Sequence, residues 1–277
     1  LLYCDEAGFR DDLSNLFEPM FKADFNKEAL HGRNYICHML MVSRYAYEQI
    51  EPSPDYTSGS QDYDLTLKVS EIARDIVHVP RVLYHWRQHA KSTNAGGSAS
   101  SGGASAKPYA HIAGCRALAD HFERECLDVS IESTDTPFEY HAIYAKPEGD
   151  LKVCAVDPAT GSYDEDADVL LLVEEGPEPA SDDAVDRMLG YFQRPDVGAV
   201  GPLVLDEDGP IRHAGLALMA DGSVARMNLG HTLATNKGYL AATECARGYT
   251  AVSREVVAIR REAYERAGGF APGLHGD

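Results

Sequence analysis

The chain has 277 residues, 44% of them hydrophobic and 25% charged, which is enough apolar material for one large globular domain or two small ones. A formal net charge of −19 argues strongly against binding to nucleic acid, because a phosphate backbone requires a basic surface, and it also argues against docking on anionic lipid. The sequence has neither a run of about 18 apolar residues that would span a bilayer nor a signal-peptide pattern. Because it begins with an apolar strand pattern rather than with an initiator Met, we expect it to be part of a longer protein.

The six cysteines form no CxxC pair and have no zinc-binding spacing. Most of them lie in apolar runs, as buried free thiols do. We therefore predict unpaired cysteines and a reducing, cytoplasmic environment. The cysteines are Cys4, Cys37, Cys115, Cys126, Cys154 and Cys245.

Residues 1–93 are predicted to form a first domain that alternates short strands and helices. Leu65, Val69 and Ile72 repeat at helical spacing, which predicts a helix over residues 62–73. The other predicted elements are an apolar strand at Leu1–Cys4 that ends in Asp5 and Glu6, a loop at Phe21–Asn26, a buried strand at Ile36–Val42, a helix at Arg44–Ile50 and a strand that carries Val82, Tyr84 and Trp86.

Residues 94–150 are predicted to connect the first domain to a second one at residues 151–277. The connector contains a flexible linker rich in Gly, Ser and Ala at Ser92–Ala106 and a helix at Lys107–Glu125, followed by strands near 127–132 and 138–145. The elements predicted further on are strands at 151–156, Asp168–Glu175, Val197–Leu205, Ile211–Leu218 and Val256–Arg260, a helix capped by Ser181, and a helix at Arg261–Ala267 that ends at Gly268 and Gly269.

Two short runs occur twice along the chain, in the same order. The apolar run with paired acids at Leu1–Glu6 matches Leu170–Glu175, and the strand-to-helix run Met39–Ile50 matches Val256–Ala267. Coincidence could explain either match alone, but the common order favours a duplicated fold.

The acidic residues best suited to chemistry are Asp62 and the neighbouring pair Asp5 and Glu6. Asp62 lies at the start of the predicted helix, so its carboxylate would be held rigidly yet remain exposed, as a general base requires. Asp5 and Glu6 follow a predicted strand, and ligand sites of open α/β sheets lie at the carboxyl ends of strands. Considered in isolation, Asp62 is more simply explained as a helix cap stabilised by the helix dipole.

These acids lie in a series of distinctive runs: Tyr3–Ala7, Phe21–Asn26, Asn34–His38, Gly59–Leu65 and Val82–His89. Together the runs resemble the C-terminal half of an inverting, nucleotide-sugar-dependent glycosyltransferase domain of family 2, the GT-A type. The resemblance makes Asp62 the catalytic base and Asp5 and Glu6 part of the acidic metal motif, in which Ala7 replaces the usual third carboxylate. It also makes Arg87 a contact of the donor diphosphate, and His89 a ligand of the metal or the diphosphate.

The second domain resembles the acceptor-side half of tandem enzymes of this family. The resemblance rests on Gly198–Pro202, Asp208–Gly215 and Arg260–Phe270. The acidic run Glu174-Glu175-Gly176 departs from the family's motif, and an equivalent of Asp62 would fall just beyond Asp277. Neither copy shows the family's first nucleotide-binding strand. His213 is as well explained by packing as by a ligand role.

The resemblance implies an α/β protein with GT-A-like mixed sheets flanked by helices, in two related units of which the second is shortened. It implies inverting transfer of a sugar from a nucleotide sugar to a saccharide acceptor in surface-polysaccharide synthesis. A divalent metal, Mg²⁺ or Mn²⁺, would lie near Asp5, Glu6 and His89. The chain would act in the cytoplasm at the inner face of the membrane, in association with membrane machinery through the parent protein. The alternatives are a degenerate, non-catalytic module that binds carbohydrate or a partner subunit and, more distantly, a metal-dependent hydrolase.

Overall fold

The computed structural model of the chain describes residues 1–87, 108–149, 151–157, 160–233 and 237–270, so the predicted linker at Ser92–Ala106 lies outside the described residues. The chain divides into two compact units: unit 1 comprises Leu1–Ala142 with Tyr239–Gly248, and unit 2 comprises Ile143–Gly238 with Tyr249–Asp277. Both units combine strands and helices, which confirms the α/β fold class.

The sheet of unit 1 is built around one central strand. The strands of this unit are β1 (Leu2–Phe9), β2 (Phe17–Met20), β3 (Leu40–Met41), β4 (Val77–Arg87), β5 (Val129–Ser133) and β6 (Tyr140–Tyr144), the last of which continues into unit 2. β4 pairs with β1 in parallel, whereas β2 and β3 pair with it antiparallel. The strand predicted around Tyr84 and Trp86 is confirmed as the second half of β4.

β1 is longer than predicted, and its length changes the position of its acids. The sequence predicts a strand that ends at Cys4, but the ladder continues to Phe9 because β2 and β4 both pair with Glu6. Asp5 and Glu6 therefore lie inside the strand, where they are 3% and 6% exposed. The expectation that they stand at an open strand end is wrong.

Asp62 lies in a helix of unit 1 that packs against a second, longer helix. The helices of this unit are α1 (Lys27–Gly32), α2 (Arg44–Tyr47), α3 (Gln61–Ile72) and α4 (Pro108–Arg124). α3 and α4 confirm two predicted helices and pack against each other, whereas α2 is shorter than predicted. Gly59, just before α3, has φ of +97°, and a Cβ there would lie 2.9 Å from the Cβ of Ala110, so the turn requires glycine. Ser60 Oγ donates to Ala110 O at 2.7 Å and ties this turn to α4.

The segment before α2 is a loop and not the predicted strand at Ile36–Val42. Within that range only β3 joins the sheet. The Lys22 ammonium donates hydrogen bonds to Ile36 O and His38 O. Because a side chain engages these main-chain carbonyls in place of a neighbouring strand, the segment wraps around Lys22.

Unit 2 holds a second mixed sheet. Its elements are β7 (Val153–Ala155), β8 (Val169–Val173), α5 (Ala184–Gly190), a 3₁₀ turn at Tyr191–Gln193, β9 (Ala199–Val200), β10 (Val204–Leu205), β11 (Ile211–His213), β12 (Leu216–Leu218), β13 (Val224–Arg226), β14 (Val256–Arg260) and α6 (Arg261–Arg266). The strand order is β7-β8-β14-β9, with β7 parallel and β14 antiparallel to β8. Leu170 and Leu172 pack in one buried cluster and Val169 in another, as expected for a strand covered on both faces.

Three details of unit 2 differ from the sequence prediction. The strand predicted at Val197–Leu205 divides into β9 and β10 around Pro202, which has no N–H to donate to a ladder. The strand predicted at Ile211–Leu218 divides into β11 and β12 at Gly215, whose φ is +103°. α5 begins after Asp183, so the predicted cap at Ser181 is wrong.

The two sheets reproduce the sequence repeat in the same register. The antiparallel pairs are Leu2–Met41 and Tyr3–Leu40 in unit 1, and the matching residues pair as Leu171–Ala258 and Leu172–Val257 in unit 2. In each unit the second strand of the pair leads into a short helix that begins with Arg: β3 leads into α2, and β14 leads into α6. The shared register supports a duplicated fold.

Candidate functional site in unit 1

Asp5 is held from two sides inside β1. Its Oδ1 atom accepts a hydrogen bond from the main-chain N–H of Lys22 at 2.8 Å and lies 2.9 Å from Nε2 of His78. His78 is stacked on Tyr3, with ring centroids 4.9 Å apart, and its Nδ1 lies 3.3 Å from Asp24 Oδ1. Asp5 is therefore a positioned carboxylate whose oxygen is already engaged by two donors.

Glu6 faces a buried cation. The side chain of Lys22 is 0% exposed, and its Nζ lies 3.5 Å from Glu6 Oε2. His38 approaches the same oxygen, with its Nδ1 at 3.4 Å. Glu6 Oε2 therefore lies between the ammonium of Lys22 and the imidazole of His38.

Asp62 lies in the first turn of α3 and is half-buried. Its Oδ2 atom accepts a hydrogen bond from Asn34 Nδ2 at 3.1 Å and lies 3.6 Å from the Cys37 thiol. Burial raises the pKa of Cys37 well above its usual value, and the nearby charges of Asp62 and Glu6 raise it further. The thiol therefore stays protonated and donates to the Asp62 carboxylate.

His38 links the two acidic positions. Its ring is stacked on Tyr84, with centroids 5.0 Å apart and planes 12° apart, and it also stacks on Trp86. Its Nδ1 atom lies 3.3 Å from Cys37 Sγ, which itself contacts Asp62. Asp62 and Glu6, which are 56 positions apart in the sequence, therefore belong to one cluster of polar side chains.

Sequence reasoning did not assign a role to several members of this cluster: Lys22, Asn34, Cys37, His38 and His78. The first four lie in runs that carry the family resemblance, so the resemblance could have pointed to them. The contacts that make them relevant depend on the loop around Lys22, which no local pattern reveals.

Arg87 and His89 are the remaining predicted site residues. Arg87 is the last residue of β4, where it pairs with Phe9, and its guanidinium lies 5.2 Å from the centre of the Phe9 ring. Strand alternation puts Arg87 on the opposite face of β4 from Tyr84 and Trp86. His89 lies outside the described residues, so its predicted role stays a prediction.

The described residues do not fit a divalent metal held by Asp5 and Glu6. Asp5 Oδ1 is engaged by an N–H and a histidine, and Glu6 faces the Lys22 ammonium. Among the residues that the structure describes, no group of three or more His, Cys, Asp or Glu side chains is arranged to hold a metal ion. Of the ligands predicted from the sequence, only His89 is outside this test.

Unit 2 carries its matched acids in a different setting. β8 ends at Val173, just before Glu174 and Glu175. Glu174 Oε1 lies 2.7 Å from Nε of Arg254, and the two side chains are 22% and 14% exposed. His213 is buried in β11 beside Glu255, at 4.0 Å, within a set of ion pairs that also includes Arg212.

Two further predictions concern disulfide bonds and membrane-spanning helices. All six cysteines are unpaired, as predicted. Within the described ranges, no helix combines the length and the apolar character needed to cross a bilayer.

Comparison with known proteins identifies distant relatives. No protein-family model and no solved structure matches the chain. An uncharacterized protein, y4gI, of Sinorhizobium fredii is 26% identical over 342 residues, and O-antigen biosynthesis protein RfbC of Myxococcus xanthus is 26% identical over 338 residues. Each alignment covers 98% of this chain but only 36% and 26% of the respective relative. The chain therefore spans about a third and about a quarter of these proteins. Both alignments are longer than 277 residues, so the relatives carry residues within the matched region that this chain lacks.

Proposed function

We propose that the chain is part of an inverting glycosyltransferase that moves a sugar from a nucleotide sugar to a growing cell-surface polysaccharide. The observation that carries the proposal is the setting of Asp62, a half-buried carboxylate at a helix start whose contacts with Asn34 and Cys37 fall on one oxygen. The similarity to a protein named for O-antigen biosynthesis supports the choice of polysaccharide as the acceptor. Nucleotide-sugar chemistry would place the chain in the cytoplasm, at the inner face of the membrane.

The chemistry assigns one clear task to Asp62. An acceptor hydroxyl attacks the anomeric carbon while Asp62 removes its proton, and the bond from that carbon to the diphosphate breaks on the opposite side. Inversion follows because the new bond forms opposite the bond that breaks. Asn34 and the Cys37 thiol hold the carboxylate in place, which keeps it within reach of a bound hydroxyl.

A second candidate function is a non-catalytic module that binds carbohydrate. The observation that favours it is the ion pair between Lys22 and Glu6, since an acid neutralised inside the protein is not available to a metal–diphosphate complex. The cluster still offers polar groups and stacked rings, which are the groups that bind neutral sugars.

Two measurements separate these functions. Isothermal titration with UDP and with dTDP, each with and without Mn²⁺, tests for a nucleotide site; micromolar binding supports the transferase, and no binding at millimolar nucleotide supports the non-catalytic module. Transfer from a UDP- or dTDP-sugar to a polysaccharide acceptor then tests the base. We expect Asp62→Asn to reduce transfer by about 10² to 10⁴-fold with nucleotide binding unchanged. Asp55→Asn, an exposed acid shortly before α3, is the matched control. Transfer that survives in Asp62→Asn would show that Asp62 is not the base.

A further inference from the structure

Lys22 is a buried cation that contacts both acids of β1, Asp5 and Glu6. Its side chain is 0% exposed, and its ammonium donates to two main-chain carbonyls, Ile36 O and His38 O. The third neighbour of the ammonium is Glu6 Oε2 at 3.5 Å. An ammonium has three N–H donors and no acceptor. Two of them are used by the carbonyls, and the contact with Glu6 Oε2 is an ion pair without a hydrogen bond.

The same residue also fixes Asp5. The main-chain N–H of Lys22 donates to Asp5 Oδ1 at 2.8 Å, and His78 occupies the other approach to that oxygen at 2.9 Å. Ala7, which follows Glu6 in the strand, is buried and has no side-chain oxygen or nitrogen to offer a metal. A single lysine therefore engages both carboxylates, one through its backbone and the other through its charge.

A divalent ion at this position would be placed beside a fixed positive charge. Mg²⁺ and Mn²⁺ favour carboxylate oxygens with room for several waters, whereas Oε2 of Glu6 is enclosed and faces the fixed charge of the Lys22 ammonium. Unit 2 follows the same rule independently, because the acid after β8, Glu174, is paired with Arg254.

We infer that Lys22 takes the place of a divalent cation, so that Asp5 and Glu6 bind no metal and the site next to them works without one. This inference goes beyond the proposed function and holds whether or not the chain transfers a sugar. It makes Lys22 a positioning residue that maintains the geometry of both acids.

The test uses Mn²⁺ alone, without nucleotide or acceptor, and follows free Mn²⁺ by its paramagnetic resonance signal. In the wild-type chain, we expect any Mn²⁺ binding to be weak, unsaturable and unchanged by Glu6→Gln, as expected for ions held by an acidic surface. In Lys22→Met, which keeps the length and removes the charge, we expect one saturable Mn²⁺ site at least tenfold tighter. That site should disappear in the double variant Lys22→Met/Glu6→Gln. Lys27→Met, which removes a half-exposed lysine paired with Glu125, should behave as wild type.

Two results would overturn the inference. One is a saturable Mn²⁺ site in the wild type that Glu6→Gln abolishes, and this result can be obtained even if Lys22→Met fails to fold. The other is a folded Lys22→Met variant that gains no Mn²⁺ site. A rise in the wild-type melting temperature on adding MnCl₂, absent in Glu6→Gln, would agree with the first result. The proposed transferase could still fail separately, through the loss of nucleotide binding or through transfer that survives in Asp62→Asn.

Discussion

Unit 1 and unit 2 share a strand pair in the same register, yet they place the acids that follow it in different environments. In unit 2, β8 ends before Glu174, which remains partly exposed next to Arg254. In unit 1, β1 continues past Asp5 and Glu6, because β2 and β4 extend the ladder on either side. The added strands bury the acids, and a buried acid requires a buried partner. The difference shows how one duplicated strand pair can give a partly buried ion pair in one copy and the more deeply buried pair of Lys22 and Glu6 in the other.

The largest expected difference between the units comes from removing the two cations. Lys22→Ala leaves Glu6 buried without its charge partner, and breaking a buried pair in this way costs about 3–5 kcal/mol. Arg254→Ala breaks a pair whose side chains are 14% and 22% exposed, so we expect a smaller loss than in Lys22→Ala. Urea denaturation combined with hydrogen exchange, read separately for each unit, measures both losses.

Lys27→Ala is the control for the loss of a lysine from unit 1, because its pair with Glu125 is half-exposed. Equal losses in Lys22→Ala and Arg254→Ala would contradict the view that the two acids lie in different environments.

The sequence predicts the elements of unit 1 better than it predicts the site. The helix at Asp62 follows from the spacing of Leu65, Val69 and Ile72, which is a local pattern. The burial of Glu6 depends on its pairing with β2 and β4, which come later in the sequence. The apolar run before Asp5 and Glu6 therefore predicts, incorrectly, that the strand ends at these acids. The role of Lys22 depends on a loop whose carbonyls turn towards it, and hydrophobic spacing carries no such information.

The repeat can be recognised in the sequence because an apolar run precedes paired acids in both copies. No comparable repeated pattern in the sequence identifies the site residues of unit 1. Asp62, for example, could be assigned only through a resemblance, since a lone acid at a helix start is more often a cap. Its contacts with Asn34 and Cys37 came only from the structure.

A smaller effect should distinguish the units by acid sensitivity. In unit 1, Glu71 accepts hydrogen bonds from His121 at 2.6 Å and from Arg124 at 2.7 and 2.9 Å. Burial alone would raise the pKa of Glu71, but the hydrogen bonds from His121 and Arg124 outweigh it and lower the pKa below its usual value. A carboxyl group with a lowered pKa stabilises the folded state above its unfolded-state pKa, and this contribution is lost as pH falls through the folded-state pKa.

We therefore expect unit 1 to lose protection from hydrogen exchange as the pH falls below the ordinary pKa of a glutamate and through the lowered pKa of Glu71, and Glu71→Gln to remove much of that dependence. Glu123→Gln, an exposed acid in the same helix as His121, should leave the pH dependence unchanged. An unchanged pH profile in Glu71→Gln would show that the acid sensitivity lies elsewhere.

The smallest expected effect tests whether the two short helices are equivalent. Arg44, the first residue of α2, lies 2.7 Å from Glu48, which caps that helix, and the matching residues Arg261 and Glu265 lie 2.8 Å apart in α6. Both are exposed pairs one helical turn apart, and such pairs add little to stability because water and salt screen them. Glu48→Gln and Glu265→Gln should therefore each leave the denaturation midpoint unchanged within error, at low and at high salt. In the second variant Arg261 keeps its bond to Ala167 O at 2.7 Å, and the Gln side-chain oxygen can still accept from the Tyr163 hydroxyl, which lies 3.4 Å from Glu265 Oε1. A clear loss in only one variant would mean that the copies, although they share a register, no longer use their helices in the same way.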